Sequence, residues 1–230
     1  SDDSDLTIAP TLFDKNSQML QNEYRKVGKD YNFTTNFGHT KDYKSTKLNQ
    51  KKNFSYLFSR LEYDLDLNNF LSSKLYLNIE KVNNDTFLKI FDSNLLENST
   101  SLKPKNLDSL FSELRFNLDH ESYNLNAGMS VYENLKDSNN DRYQYIFPYY
   151  SFGKNLFNNF DKGFFTLKSS GSNELNNTNQ LKSKIINDLE FSSMKYISNN
   201  GLENTFNFNL KNMNTMGKDT SEYKSSPQIE

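Results

Sequence analysis

The stretch 110–131, LFSELRFNLDHESYNLNAGMSV, states in two arms a rule that most of the chain repeats. Leu110, Leu114, Phe116 and Leu118 share one parity, while Glu113, Arg115, Asn117 and Asp119 share the other. A side-chain period of two is the signature of a strand. Asp119, His120 and Glu121 break the pattern, after which Tyr123, Leu125, Ala127, Met129 and Val131 alternate with Ser122, Asn124, Asn126, Gly128 and Ser130. The second arm is therefore expected to return antiparallel to the first through a tight turn. One face of this hairpin is greasy and the other wet.

Two environments accept such a ribbon. A soluble sandwich buries the greasy face against a second sheet, whereas an outer-membrane barrel turns it toward lipid and keeps the wet face in a polar lumen. Each arm is close to the roughly 9 to 11 residues that a membrane-crossing strand needs, and longer than the roughly 5 to 6 usual in globular sheets. Arm length points toward the barrel, and the sandwich stays open.

Composition fits both environments. Phe (19) and Tyr (14) supply much of the 34% hydrophobic content, and aromatic residues favour strands and membrane interfaces. A mean hydropathy of -0.85 does not exclude a barrel, in which only alternate residues meet lipid. A formal charge of -2 gives no electrostatic reason to expect nucleic acid as a partner. The absence of cysteine excludes internal disulfides and thiolate metal sites. No apolar run approaches the roughly 18 residues of a membrane-spanning helix. The chain, which opens at Ser1 and closes at Glu230, reads as a piece of a longer protein.

Alternation predicts strands over Leu6 to Phe13, Met19 to Val27, Tyr31 to Gly38, Lys74 to Val82, Phe164 to Ser169, Lys182 to Phe191 and Leu202 to Lys211, with Gly28 to Asp30 as a turn. Asn200-Gly201 signals a hairpin joining the last pair. Phe54, Tyr56 and Phe58 lie on the even parity and Leu61, Tyr63, Leu65 and Leu67 on the odd one, which predicts a bulge near Ser59 or a separate strand. Opposite the second half stand Arg60, Glu62, Asp64 and Asp66, which must face water in either fold, since a charge at a membrane midplane costs about 2 to 4 kcal/mol. Thr86 to Phe91 is a short segment before a long polar connection, Asp92 to Asp108. A polar loop, Lys136 to Arg142, precedes an aromatic cluster from Tyr143 to Phe152 around Pro148. The total is roughly eleven strands and no convincing helix.

Groups that carry chemistry are sparse. There are two histidines, His39 and His120. A catalytic grouping of Asp119, His120 and a nearby serine weighs less than a solvated turn histidine, and no phosphate loop, metal-ligand pair or nucleophile elbow accompanies it. The reading is of a protein that is not an enzyme and needs no cofactor. Asn53, Asn84 and Asn98 head Asn-x-Ser/Thr triplets, as chance provides in so Asn-rich a chain. The charged faces Glu23/Arg25, Arg60/Glu62/Asp64/Asp66 and Glu113/Arg115/Asp119 read either as a solvated sheet face or as the lining of a hydrophilic lumen.

Asp5-Leu6-Thr7-Ile8-Ala9-Pro10, followed by Glu23-Tyr24-Arg25, resembles the start of the barrel domain in the LptD family of lipopolysaccharide-assembly proteins. Lys81 to Phe87, the Pro-containing aromatic stretch Tyr145 to Tyr150 and the 110–131 hairpin resemble further segments of that family, in the same order over nearly the whole chain. The resemblance implies that residues 1–230 belong to one transmembrane, antiparallel, up-and-down β-barrel domain of the cell outer membrane, truncated at both ends. It implies a preceding jellyroll that joins a periplasmic bridge, an LptE-like lipoprotein plug in the lumen, and delivery of lipopolysaccharide into the outer leaflet through a lateral gate. Pro10 matches a proline beside that gate, where a missing ladder donor weakens pairing. Glu23, Arg25, Arg60, Glu62, Asp64, Asp66, Glu113, Arg115 and Asn117 would then face the lumen. The family's disulfide cysteines have no counterpart in this segment. A general porin or receptor barrel and a soluble β-rich surface or adhesin domain are the other readings.

Overall fold

The structure is a computed structural model that describes residues 3–13, 17–44, 51–96, 102–137, 140–159, 163–176, 180–219 and 222–229. It is all-β and antiparallel, apart from one short helix and two single 3-10 turns. The strands are β1 (Asp3–Leu12), β2 (Gln18–Val27), β3 (Tyr31–Lys44), β4 (Lys51–Asp64), β5 (Ser72–Val82), β6 (Ser109–Asp119), β7 (Tyr123–Asn134), β8 (Tyr143–Asn159), β9 (Gly163–Asn176), β10 (Gln180–Ser193), β11 (Tyr196–Ile197), β12 (Glu203–Asn204), β13 (Asn207–Asp219) and β14 (Glu222–Ile229). Twelve of them follow one another in sheet order as they do in sequence, with β11 and β12 set aside as a separate pair. Against the expected eleven or so, the main sheet has twelve, the last of them in C-terminal residues whose alternation is weak.

By contacts the chain falls into two compact units, the first made of Ser1–Leu65, Lys74–Leu114 and Ser130–Gln144, the second of Asp66–Ser73, Arg115–Met129 and Tyr145–Glu230. In the first, the turn at Gly28 closes as the sequence predicts. The Gly28 N–H donates to the Tyr31 carbonyl at 2.8 Å, and the Phe13 N–H to the Ser17 carbonyl at 3.0 Å.

The expected break near Ser59 is absent. β4 pairs without interruption from Phe54↔Thr40 to Tyr63↔Tyr31, and the only register shift on this ladder lies between Thr40 and Tyr43 of β3. There Asp42 takes a positive φ of 54° and its N–H is held by Asn53 Oδ1 at 3.0 Å, a bulge stabilised by a residue tolerant of that region. Phe54, Tyr56 and Phe58 thus share a face with Arg60, Glu62 and Asp64. β4 also ends at Asp64, so Leu65 to Leu67 do not extend it, and Asp66 sits beyond the strand with φ 47°.

What covers those three aromatics is the second departure from expectation. Residues 87–91 form a helix, α1 (Phe87–Phe91), and Asp92–Asn94 continue as a 3-10 turn. Phe87, Leu88 and Phe91, spaced to share one side of a helical turn, are fully buried with Leu95 and Leu102 against Met19, Phe54, Tyr56, Phe58, Leu110 and Leu135. Five residues are too few to hold a helix alone. Packing holds this one, each of the buried side chains contributing on the order of 2 kcal/mol by burial. The connection from 92 to 108, predicted as a polar loop, therefore supplies part of the core.

The organising hairpin forms as read, with the His120 N–H donating to the Tyr123 carbonyl at 2.8 Å. Its face alternation is less uniform than the sequence suggests. Leu110 is buried in the core while Phe116, of equal parity, is exposed, and on β7 Ser130 and Glu133 are both buried with Tyr132 exposed between them. Between β5 and β6, side chains bond to the backbone: the Glu80 N–H donates to Ser112 Oγ (3.1 Å) and the Phe111 N–H to the Glu80 carboxylate (2.8 Å).

In the second unit, β10 pairs with β9 and with β13 over long registers. Asn200-Gly201 does make a turn, with Gly201 at φ 78°, but it closes the small β11–β12 ribbon, and Leu202 to Lys211 is split between β12 and β13. The turn lies within a connection while β10 and β13 find each other directly.

Candidate functional site

The ladder registers of β1 to β5 sort their side chains into two faces. On one lie Thr7, Ala9 and Thr11 of β1, Met19, Gln21, Glu23 and Arg25 of β2, Thr34, Asn36 and Thr40 of β3, and Phe54, Tyr56, Phe58, Arg60, Glu62 and Asp64 of β4. On the other lie Leu6, Ile8, Pro10, Leu12, Leu20, Tyr24, Phe33, Phe37, Leu57, Leu61 and Tyr63, continued on β5 by Leu75, Leu77 and Ile79.

Burial departs in part from the usual rule for a soluble protein: the first face buries Met19, Phe54, Tyr56 and Phe58 but also polar side chains, while large apolar side chains of the second stand exposed. Gln21 and Glu23 are 1% exposed and Asn36 3%, whereas Leu6 is 60% exposed, Ile8 58% and Leu12 76%. Leu20, Phe37, Leu57 and Tyr63 are exposed as well. The polar side is built accordingly, since buried polar atoms must find partners. The Tyr56 hydroxyl bonds to Asn36 Oδ1 at 2.7 Å and lies 3.2 Å from Gln21 Oε1. The Arg25 guanidinium donates to Glu23 Oε1 from Nε at 2.7 Å and again from its terminal nitrogen.

Of the residues expected to line a lumen, Glu23, Arg25, Arg60, Glu62 and Asp64 thus share one face of the first unit. The first two are paired and sheltered, and Arg60, Glu62 and Asp64 are exposed. Asp66 is outside the strand. Glu113, Arg115 and Asn117 are half-buried on β6. Pro10 lies exposed on the apolar face, opposite Leu20, in the strand that begins the sheet order.

Sequence reading missed a charged cluster where the 83–108 and 135–142 loops meet. Arg142 bonds Glu133 and reaches Asp85 Oδ1 at 2.9 Å; Lys81 Nζ is 2.9 Å from Glu133 Oε2, and the Tyr143 hydroxyl donates to Glu133 Oε1 at 3.1 Å. Nearby, Asp108 is bracketed by Lys89 (2.6 Å) and Lys136 (2.9 Å). Those bonds, Lys89 foremost, hold the Asp108 carboxyl below the ordinary aspartate range. Only the scatter of single charges along loops signalled this cluster in the sequence, and scatter does not specify pairing.

The second unit holds a polar cavity of about 500 Å³ beside the 120–122 turn, lined among others by Asp119, Asn124, Lys154, Thr166, Lys168 and Asp188. His120 stands at its edge, stacked on Tyr123 with ring centroids 4.5 Å apart. The Ser122 N–H donates to His120 Nδ1 at 3.2 Å, which engages the ring in closing its own turn. Among the described residues no group of three acidic, histidine or cysteine side chains is arranged to hold a metal ion. Asn98 lies outside the described residues; Asn84 Oδ1 accepts the Thr86 N–H at 3.0 Å and its hydroxyl at 2.7 Å, bracing the approach to α1.

No protein-family model matches the chain, and no curated protein matches it.

Proposed function

We propose that this chain is a segment of an outer-membrane β-barrel of the lipopolysaccharide-assembly type, passing lipopolysaccharide toward the outer leaflet of the cell outer membrane. The observation that carries the membrane part is the inverted face pattern of β1 to β4, with Gln21, Glu23 and Asn36 buried and Leu6, Ile8 and Leu12 exposed. Water on the apolar face would leave that row of Leu, Ile and Phe unburied, at about 25 cal/mol per Å². Hydrocarbon removes that cost, and the opposite face, covered by α1 over part of its length, then meets an aqueous interior at Arg60, Glu62 and Asp64. Strand length adds support: β1 to β10 and β13 each have 10 residues or more, matching the roughly 9 to 11 of a membrane strand.

The substrate part rests on the ordered resemblance to the lipopolysaccharide-assembly family. In this reading Glu23, Arg25, Arg60, Glu62, Asp64, Glu113, Arg115 and Asn117 line the path of the sugar portion, and Pro10 stands beside the lateral opening. A jellyroll outside this segment connects to the periplasmic bridge, and an LptE-like lipoprotein occupies another part of the lumen. The chain does no covalent chemistry. The test is depletion of the protein in its own cells, followed by surface labelling of lipopolysaccharide. Loss of surface label with accumulation behind the outer membrane is expected, together with slower delivery in Pro10→Ala as β1 pairs more firmly. Unchanged surface lipopolysaccharide on depletion would overturn the transport reading and leave a general porin, a receptor barrel or a surface domain.

A further inference from the structure

In the first unit, one end of the polar face is already occupied. Met19, Gln21, Thr40, Phe54, Tyr56 and Phe58 are buried, whereas Arg60, Glu62 and Asp64, farther along the same face of β4, are exposed. The boundary between them is the footprint of α1 and the residues that follow it.

We propose that residues 83–96 and 102–108 form an in-chain plug that closes one end of this polar face, so that the chain itself supplies there what the family resemblance assigns to a separate lipoprotein. The inference rests on the membrane reading above.

Three observations distinguish a plug from a loop collapsed onto a sheet. Its contact with the face is specific: Gln21 Nε2 donates to the Asn94 carbonyl at 2.8 Å while Gln21 Oε1 accepts the Leu96 N–H at 3.1 Å. One side-chain amide thereby satisfies a backbone acceptor and a backbone donor, much as a neighbouring strand would. The interior is close-packed, with Phe91 meeting Phe13, Tyr43, Phe54 and Phe87 at ring-centroid distances of 4.9 to 5.6 Å. Finally, both ends are tethered to the 135–142 loop, the entry through Asp85–Arg142 and the exit through Asp108–Lys136. Lys103 clasps the middle, donating to the Asp92 carbonyl at 3.0 Å and lying 2.6 Å from Asp92 Oδ1.

A wet face sealed at one end and charged at the other is a vestibule. Solutes enter beside Arg60, Glu62 and Asp64 and stop at the aromatic layer. Transit then needs the plug to leave, and Gln21 is the side chain whose bonds must break first on the sheet side.

The experiment is ion conductance of the full-length protein that contains this chain in planar lipid bilayers, with heat-modifiable gel migration used to score insertion. Three variants are compared with the wild type: Gln21→Ala, which cuts the latch, Phe87→Ser with Phe91→Ser, which unpacks the aromatic layer, and a chain lacking 86–106 bridged by a glycine-serine linker. The expected result is a wild type that inserts and conducts little, with conductance rising several-fold in the deletion and in at least one of the substituted chains. Wild type and inserted variants conducting alike would overturn the plug while leaving the membrane reading intact. Failure of the wild type to insert would overturn both.

Discussion

The ring of Tyr56 fills the space that a side chain at Gly38 would need: the two residues are partners across β3 and β4, and a Cβ on Gly38 would come within 2.5 Å of Tyr56 Cε1 and 2.9 Å of the Leu20 carbonyl oxygen. A ring can rotate away, but a backbone carbonyl cannot. Gly38→Ala is therefore expected to destabilise by about 1 to 3 kcal/mol, the range for overpacking. Tyr56→Phe, which keeps the ring and removes the bond to Asn36, should cost about 1 kcal/mol. Denaturant unfolding in detergent or lipid gives both values, and an alanine variant as stable as the wild type would show that the ring does not sit over Gly38.

Glu23 and Arg25 form a pair of unequal burial, the carboxylate 1% exposed and the guanidinium 29%. Removing one partner of a fully buried pair costs about 3 to 5 kcal/mol, and the partial exposure of Arg25 lowers the expectation for Glu23→Gln to about 1 to 3 kcal/mol. The double variant Glu23→Gln, Arg25→Gln should recover part of that loss. A double-mutant cycle measures the coupling, and strict additivity would mean that the pair acts as two independent charges.

Phe91 is fully buried and touches four aromatic rings. Phe91→Ala should cost about 3 to 5 kcal/mol, as for large-to-small changes in well-packed cores. The loss should be concentrated in the first unit. Hydrogen exchange is expected to quicken over β2 to β4 and over the insert, while β9, β10 and β13 keep their protection.

Asp108 links the insert to the 135–142 loop, and its folded-state carboxyl titrates below the ordinary value because Lys89 and Lys136 bond it. A depressed carboxyl contributes stability that is fully present above the unfolded value, near 3.9, and is lost as pH falls through the folded value. Asp108→Asn should thus be less stable than the wild type at neutral pH, with the gap closing in acid. The site is solvent-accessible, so added salt should narrow the gap as well. A gap that widens on acidification would contradict the assignment.

Local alternation was enough to read the hairpin at 110–131, the turn at Gly28 and the strands flanking it, because each of these is decided by neighbours in sequence. β4 was misread for the converse reason. Phe54, Tyr56 and Phe58 are apolar on the polar face, and what makes that affordable is α1, some thirty residues farther on. Nothing near Ser59 announces the cover, so a bulge or a separate strand was the local explanation for the change of parity. The helix escaped notice because Phe87-Leu88-Lys89-Ile90-Phe91 is shorter than any length at which helical periodicity separates from a strand's. Glu23 and Arg25 were legible as one face, but the burial of both Ser130 and Glu133, on opposite parities of β7, was not. The bonds that join Glu80 to Ser112 and to the Phe111 N–H have no sequence signature either. Asp66 failed as a strand residue through backbone conformation alone, at a position where aspartate tolerates a positive φ.

The most direct test of the account places single spin labels at Leu20, Phe37 and Leu57 on one face and at Asn32, Glu62 and Asp64 on the other, in a chain with no native cysteine to interfere. Reconstituted in bilayers, the first three should collide with dissolved oxygen and be shielded from a water-soluble nickel chelate, and the second three should show the reverse. If Leu20, Phe37 and Leu57 meet the chelate, or are hidden from both reagents, the apolar face does not touch lipid, and the membrane reading falls with everything built on it.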